Sequence, residues 1–142
     1  MDYDISRVDV WAGEVADRRG ALADMLKSVL DVGANLDFII ARPSPVKPAT
    51  GILYLAPLDG EEQTTAAQGA GLHPSSHIES LRIEGPDRQG LAEQIARAIA
   101  DADINVSGFT GGRMGNRCVM YIRFEHEDEL ARAQALLEAT LT

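Results

Sequence analysis

A loop, the helix it opens and an asparagine beyond the helix occur twice in this chain, and that duplication constrains the fold more than any other feature. The second copy runs Gly85-Pro86-Asp87-Arg88-Gln89-Gly90-Leu91, then a helical pattern, then Asn105. The first runs Asp17-Arg18-Arg19-Gly20-Ala21-Leu22, a helical pattern, then Asn35. The aspartates, the glycines and the asparagines are each separated by 70 positions, about half of the 142 residues. A repeat of that period signals two similar supersecondary units, read here as residues 1–70 and 71–142.

Size and charge bound the answer further. A chain of 142 residues packed as one body can bury roughly 68–70% of its unfolded surface, whereas two separate halves would each be marginal. The two units are therefore expected to share a core or an interface. Hydrophobic residues make up 45% of the chain, as in a normal globular protein. Acidic residues number 22 against 13 basic ones, for a net charge of −9. Such a surface repels phosphate, and no Lys/Arg stripe interleaved with aromatics offsets it. Nucleic acid and anionic membranes are accordingly disfavoured as partners. One cysteine, Cys118, permits no intrachain disulfide and suits a reducing compartment. The acidic start Met1-Asp2-Tyr3-Asp4 lacks the charge of a signal peptide, and no apolar run reaches membrane-span length. A soluble cytoplasmic protein is expected.

Periodicity places the elements. Ile5 to Ala12 alternates as one half-buried strand, with Val8 and Val10 on one face and Trp11 on the other, where it can pack under a helix or line an interface. Gly13 to Arg19 reads as a loop. From Gly20 the period becomes helical, with Leu22, Leu26, Val29 and Leu30 on one side and Gly33 ending the run. Leu36 to Ala41 and Gly51 to Pro57 read as strands joined by the three-proline connection Arg42 to Thr50, and Asp59 to Gly69 as a weak helix. Gly69 to Ser76 is a linker candidate. The pattern then restarts: strand His77 to Glu84, helix Arg88 to Ala102 with Leu91, Ile95 and Ile99 on its stripe, and strand Ile104 to Thr110. A Gly-rich hairpin at 111–116, strand Arg117 to Glu125 and helix Asp128 to Leu141 follow. Leu53-Tyr54-Leu55 matches Met120-Tyr121-Ile122 at a spacing of 67, so the first hairpin is three residues longer than the second. The fold class is α+β, each unit an antiparallel sheet with helices on one face. Neither half shows a clear fourth strand. Leu72-His73 could stand in for one, and otherwise the other half or another chain must cover the open edge.

The motif Asp-Arg-x-Gly-x-Leu at a helix start, its spacing to Asn105, its duplication and the element order resemble the ACT domain in tandem. That resemblance implies ferredoxin-like βαββαβ units and a small ligand, usually an amino acid, held at the interface between domains. It further implies regulation of an enzyme, here without one attached. Two departures stand out: about three extra residues around Glu14-Val15-Ala16 in the first loop, and the unplaced fourth strands.

The expected ligand site comprises Asp87, Arg88, Gln89, Gly90, Leu91 and Asn105, with Asp17, Arg18, Gly20, Ala21, Leu22 and Asn35 as its first-unit counterpart. Free N–H groups at a helix start suit a carboxylate. The glycines allow close approach, and asparagine can serve both a carboxylate and an ammonium. Structural roles compete with these: Asp17 and Asp87 as helix caps, the glycines as packing positions, the asparagines as helix stops. Gly111-Gly112-x-x-Gly115 lacks the Lys-Ser/Thr of a phosphate loop and reads as a hairpin, while Cys118 reads as a small core residue. His73, His77 and His126 lack metal-ligand spacing, and no catalytic constellation or cofactor motif is evident. The sequence thus reads as a non-enzymatic regulatory module that binds a small ligand, forms a homodimer and acts on a partner enzyme. The competing reading is a ligand-free adaptor that docks on a metabolic enzyme or regulator. A small enzyme on the same scaffold would need an ionisable pair converging in a cleft.

Overall fold

The computed structural model describes residues 2–75 and 79–141. In chain order the elements are β1 (Asp4–Val8), β2 (Trp11–Ala16), α1 (Ala21–Leu30), β3 (Phe38–Pro43), β4 (Thr50–Ala56), α2 (Gly60–Gly69), β5 (His73–Pro74), β6 (Glu79–Pro86), α3 (Leu91–Asp101), β7 (Gly108–Met114), β8 (Arg117–Phe124) and α4 (Glu127–Thr140). The strand expected from Ile5 to Ala12 is two strands in two sheets. The chain leaves the ladder at Asp9-Val10; β1 pairs antiparallel with β6, and β2 with β4. Local alternation runs through this break, because period two reports which face a residue takes and not which partner strand it meets.

Two compact units result. One is Asp9–Ser75; the other combines residues 2–8 with 79–141. Residues 2–8, placed in the first half by the sequence division at 70/71, thus lie with the second. The expected strand start at His77 and Ile78 falls outside the described residues. Within Asp9–Ser75 the sheet order is β3-β4-β2-β5, and in the other unit it is β1-β6-β8-β7. These are the same arrangement, with β5 and β1 in equivalent places. The missing fourth strands are therefore found. One is the two-residue β5, joined to β2 through Ala12 and His73, one residue along from the Leu72-His73 segment. The other precedes its unit in sequence, so no pattern after α4 could reveal it.

Helices cover one face of each sheet. In the larger core Leu81, Ile83, Met120, Ile122 and Phe124 meet Ile95 and Ile99 of α3 and Leu130, Ala133 and Leu137 of α4. In Asp9–Ser75 the inward residues are Trp11, Val15, Leu53 and Leu55, packed with Ala21, Val29, Ala67 and Leu72. Trp11 is thus a core residue beneath the helices. Of the expected α1 stripe, Val29 and Leu26 pack on the core, and the other two residues do not. Leu22 and Leu30 are 38% and 49% exposed, while Ala21, Met25 and Val29 face the sheet. These three stand 70 positions before Leu91, Ile95 and Ile99; the repeat register locates the buried face better than hydrophobicity does.

The helix ends also repeat. Gly33, at φ 87°, and Asp103, at φ 61°, take the left-handed conformation. The next amides close matching bonds, Ala34 N–H to Val29 O at 3.1 Å and Ile104 N–H to Ile99 O at 3.2 Å. β3 and β7 start later than the sequence suggests and run further. Gly111 to Met114 pair with Met120 to Arg117 as strand, leaving Gly115-Asn116 as a two-residue turn. In the first hairpin Ser44 still bonds Thr50, so residues 45–49 form the connection and the three-residue difference holds. Pro43 is accommodated because β3 is an edge strand.

Replacing Ile99, which is fully buried, by alanine is expected to cost about 2–5 kcal/mol in urea denaturation. Leu30→Ala, on the exposed side of α1, is expected to cost less than about 0.5 kcal/mol.

Candidate functional site

Both repeated loops lie where a sheet-centre strand hands over to a helix. The loop before α1 contains no insertion. Glu14, Val15 and Ala16 are strand residues paired with Ile52, Gly51 and Thr50, as Glu84, Gly85 and Pro86 are paired with Val119, Cys118 and Arg117. Each loop is then tied to the tip of its own hairpin, through Asp17 N–H to Ala49 O at 3.0 Å and Asp87 N–H to Asn116 O at 2.8 Å.

The helix caps are Gly20 and Gly90, at φ 87° and 84°, not Asp17 and Asp87. Each aspartate stands three positions before its cap, with two residues between, beyond the reach of a capping carboxylate. A Cβ built on either glycine meets nothing within 4 Å, so close packing is not the reason for glycine. The left-handed conformation is. Its consequence is a helix start with no side-chain cap: the first amides, of Ala21 and Leu91, bond Arg18 O and Arg88 O at 3.2 and 3.3 Å, and the next two amides of each helix have no capping side chain.

An open cleft lies against each helix start. The cleft beside α3 has a volume of about 250 Å³ and is bounded by Asp87, Arg88, Gly90 to Glu93, Gly111 to Arg113, Cys118 and Met120. The cleft beside α1, of about 240 Å³, is bounded by Val15 to Arg18, Leu22, Ala41 to Pro43, Thr50 and Gly51. Subtracting the repeat spacing superposes most of one set on the other. Charges of both signs line the first of these. Arg113 stands 3.8 Å from Asp87, Arg88 bonds the side chain of Gln94, and Glu93 pairs outward with Arg97 at 3.1 Å. In the other cleft Arg18 stands 3.8 Å from Asp24 and Arg42 lies over the Tyr54 ring at 5.4 Å.

Of the residues singled out from sequence, Asp87, Arg88, Gly90 and Leu91 line the α3 cleft, and Asp17, Arg18 and Leu22 line the α1 cleft. Gln89, Gly20 and Ala21 belong to the same loops without lining a cleft. Asn35 and Asn105 are exposed two residues beyond the left-handed helix stops and line neither cleft. The opposite walls, Gly111 to Arg113 with Cys118 and Ala41 to Pro43 with Gly51, were not singled out as site residues. Hairpin strands bring them there, and only the matched spacing of the two hairpins hinted at it. Cys118 is both a buried residue and a cleft wall. Burial raises its thiol pKa, the Asp87 carboxylate adds to that, and Arg117 opposes it.

No protein-family model matches the chain and no curated protein matches it in sequence. Solved structures do match. Protein BT0572 from Bacteroides thetaiotaomicron superposes with a TM-score of 0.76 at 11% identity, covering 99% of this chain and 91% of that one. The ligand-free regulatory subunit of aspartate kinase from Thermus thermophilus gives 0.64 at 13% identity, covering 98% and 96%. Aspartokinase III from E. coli, in complex with lysine and aspartate, gives 0.53 at 12% identity, covering 96% of this chain and 32% of that one. The chain shares its fold with these three structures. It matches the expected α+β class of ferredoxin-like, ACT-like units. Among the described residues no helix is long and apolar enough to cross a membrane.

Two outcomes follow from the geometry. Gly90→Ala forces a Cβ into the left-handed region and is expected to cost about 1–2 kcal/mol by denaturation, with Gly90→Asn costing less. The raised Cys118 pKa means that the fold accommodates the thiol and not the thiolate. Its stabilising contribution is therefore intact below the ordinary value of 9.0 and is lost as pH rises through the higher folded value. The pH profile of Cys118 alkylation is expected to have its midpoint above that of a free thiol.

Proposed function

We propose that this chain is a non-enzymatic regulatory protein whose two clefts bind a small zwitterion, most simply an amino acid. The observation that carries this reading is the duplicated helix start without a side-chain cap, in a cleft lined by charges of both signs. In the α3 cleft the ligand carboxylate would meet the open amides of Ala92 and Glu93, helped by the helix dipole and the guanidinium groups of Arg88 and Arg113. The ammonium would meet Asp87. Arg88 and Arg113 balance Asp87 and Glu93, so a zwitterion fits better than a simple anion or cation. The α1 cleft repeats the loop with Asp17 and Arg18.

An amino acid so held would bridge the loop, the helix start and the hairpin. Its binding energy can then shift a docking equilibrium by as much as it prefers one arrangement over the other. The likeness to aspartate kinase regulatory subunits, and the lysine and aspartate named with E. coli aspartokinase III, support a regulatory role with an amino-acid signal. We place the protein as a homodimer acting on a partner enzyme.

The test is a thermal-shift screen of the purified chain against the twenty amino acids at millimolar concentration. A ligand present at 100 times its Kd stabilises by about 2.7 kcal/mol, which a melting curve resolves readily. Ala92→Glu places a carboxylate at the helix start without harming the helix, and it is expected to abolish the shift at the α3 cleft. A flat response across all twenty would sink the reading.

A further inference from the structure

The two units fill equivalent positions in opposite ways, and the difference leads from the N-terminal strand to the α3 cleft. In Asp9–Ser75 the ladder pair Val15 and Gly51 puts the large residue on the central strand; in the other unit the same pair is Gly85 and Cys118. Val15 is buried in its core. At Gly85 that space is taken by the Tyr3 ring, and a Cβ on Gly85 would collide with Tyr3 Cδ1 and crowd Asp2 O at 2.8 Å. Tyr3 is 6% exposed, and its hydroxyl donates to Pro86 O at 2.7 Å. The same carbonyl faces the Cys118 thiol, with Sγ at 3.9 Å. The next residue is Asp87, which lines the cleft as Cys118 does.

We propose that Tyr3 is a positioning residue for the α3 cleft, making the geometry of Pro86-Asp87 depend on docking of β1. The proposal concerns the cleft as a binding site and so rests on the reading above, but the linkage can be measured without any amino acid. When β1 is docked, Tyr3 holds the Pro86 carbonyl, and with it one wall of the cleft. When β1 lifts, Pro86 O loses the Tyr3 hydroxyl, Gly85 is bare and the cleft wall at Cys118 opens. By reciprocity, a ligand that favours the docked wall also favours docked β1. The α1 cleft has no such dependence, because Val15 fills its equivalent position from within its own strand. Ligand binding to the two clefts would therefore respond differently to anything that perturbs residues 2–8.

Cys118 is the single cysteine of the chain, so alkylation by iodoacetamide reports on this cleft alone. The rate would be measured on the full chain without added amino acid for wild type, Tyr3→Phe and Tyr3→Ala. Leu137→Ala, which weakens the same core from α4, controls for general destabilisation, with unfolding free energies taken from urea titration. Tyr3→Phe keeps the ring and loses one hydrogen bond, so the open population and the rate are expected to rise about fivefold. Tyr3→Ala is expected to rise further, and both more than Leu137→Ala at matched stability. Unchanged rates in Tyr3→Phe, or a Leu137→Ala rate equal to that of Tyr3→Ala at matched stability, would overturn the proposal. Because no ligand is present, these outcomes are independent of the amino-acid screen.

Discussion

The antiparallel pairing of β1 with β6 is the interaction on which the second unit depends. A sheet built only from residues 79–141 would have three strands, β6, β8 and β7, and would leave the outer edge of β6 with unpaired N–H and C=O groups. Residues 4–8 satisfy that edge in register, with Asp4 opposite Glu84 and Val8 opposite Ser80. The same pairing buries Tyr3 and Ile5 in the larger core and brings Arg7 to Glu127 and Gln134 of α4. The Arg7–Glu127 pair is exposed on both sides and contributes little on its own; burial of Tyr3 and Ile5 dominates. The break at Asp9-Val10 then follows, since one short segment must serve two sheets.

Against that shared scaffold, the loops show how a backbone constraint makes a surface reactive. A left-handed residue before each helix requires glycine to avoid strain, and glycine offers no side chain to cap the amides that follow. Conformational need and ligand access thus have one cause. The hairpin supplies the facing wall, and its Gly111 leaves room there: a Cβ at that position would press on Met120 Cγ at 3.0 Å. In the α1 cleft a Cβ at Gly51 would lie 3.1 Å from both Val15 Cγ1 and Arg42 O. The two clefts share a plan and differ in lining, and the difference arises from which member of one ladder pair is large.

Several elements were legible in the sequence because they are local. The spacing of 70 positions and the helical periods of α1, α3 and α4 come from adjacent residues, as do the glycine stop at Gly33 and the three extra residues of the first hairpin. The loop residues Asp87, Arg88, Gly90 and Leu91 were found for the same reason, since a helix start carries its own signature. Two members of the α1 stripe, Leu22 and Leu30, were misplaced because they are more apolar than Ala21, while Leu26 and Val29 pack inward as expected. The sheet selected the narrow face that lets α1 pack close, as the repeat position of Ala21 had already implied.

The sequence by itself determined two like units, their α+β class and the loops that begin the helices, because each rests on periodicity or on backbone preferences within a few residues. Only the tertiary structure decided the rest. It assigned residues 4–8 to the second unit, carried the central strands through Ala16 and Pro86, and set the hairpin against the helix start to make a cleft. Strand pairing joins residues far apart in the chain, and alternation specifies a face without naming a partner. That is why the fourth strand of the second unit, the Tyr3–Pro86 contact and the walls at Gly111 and Cys118 could not be read in advance.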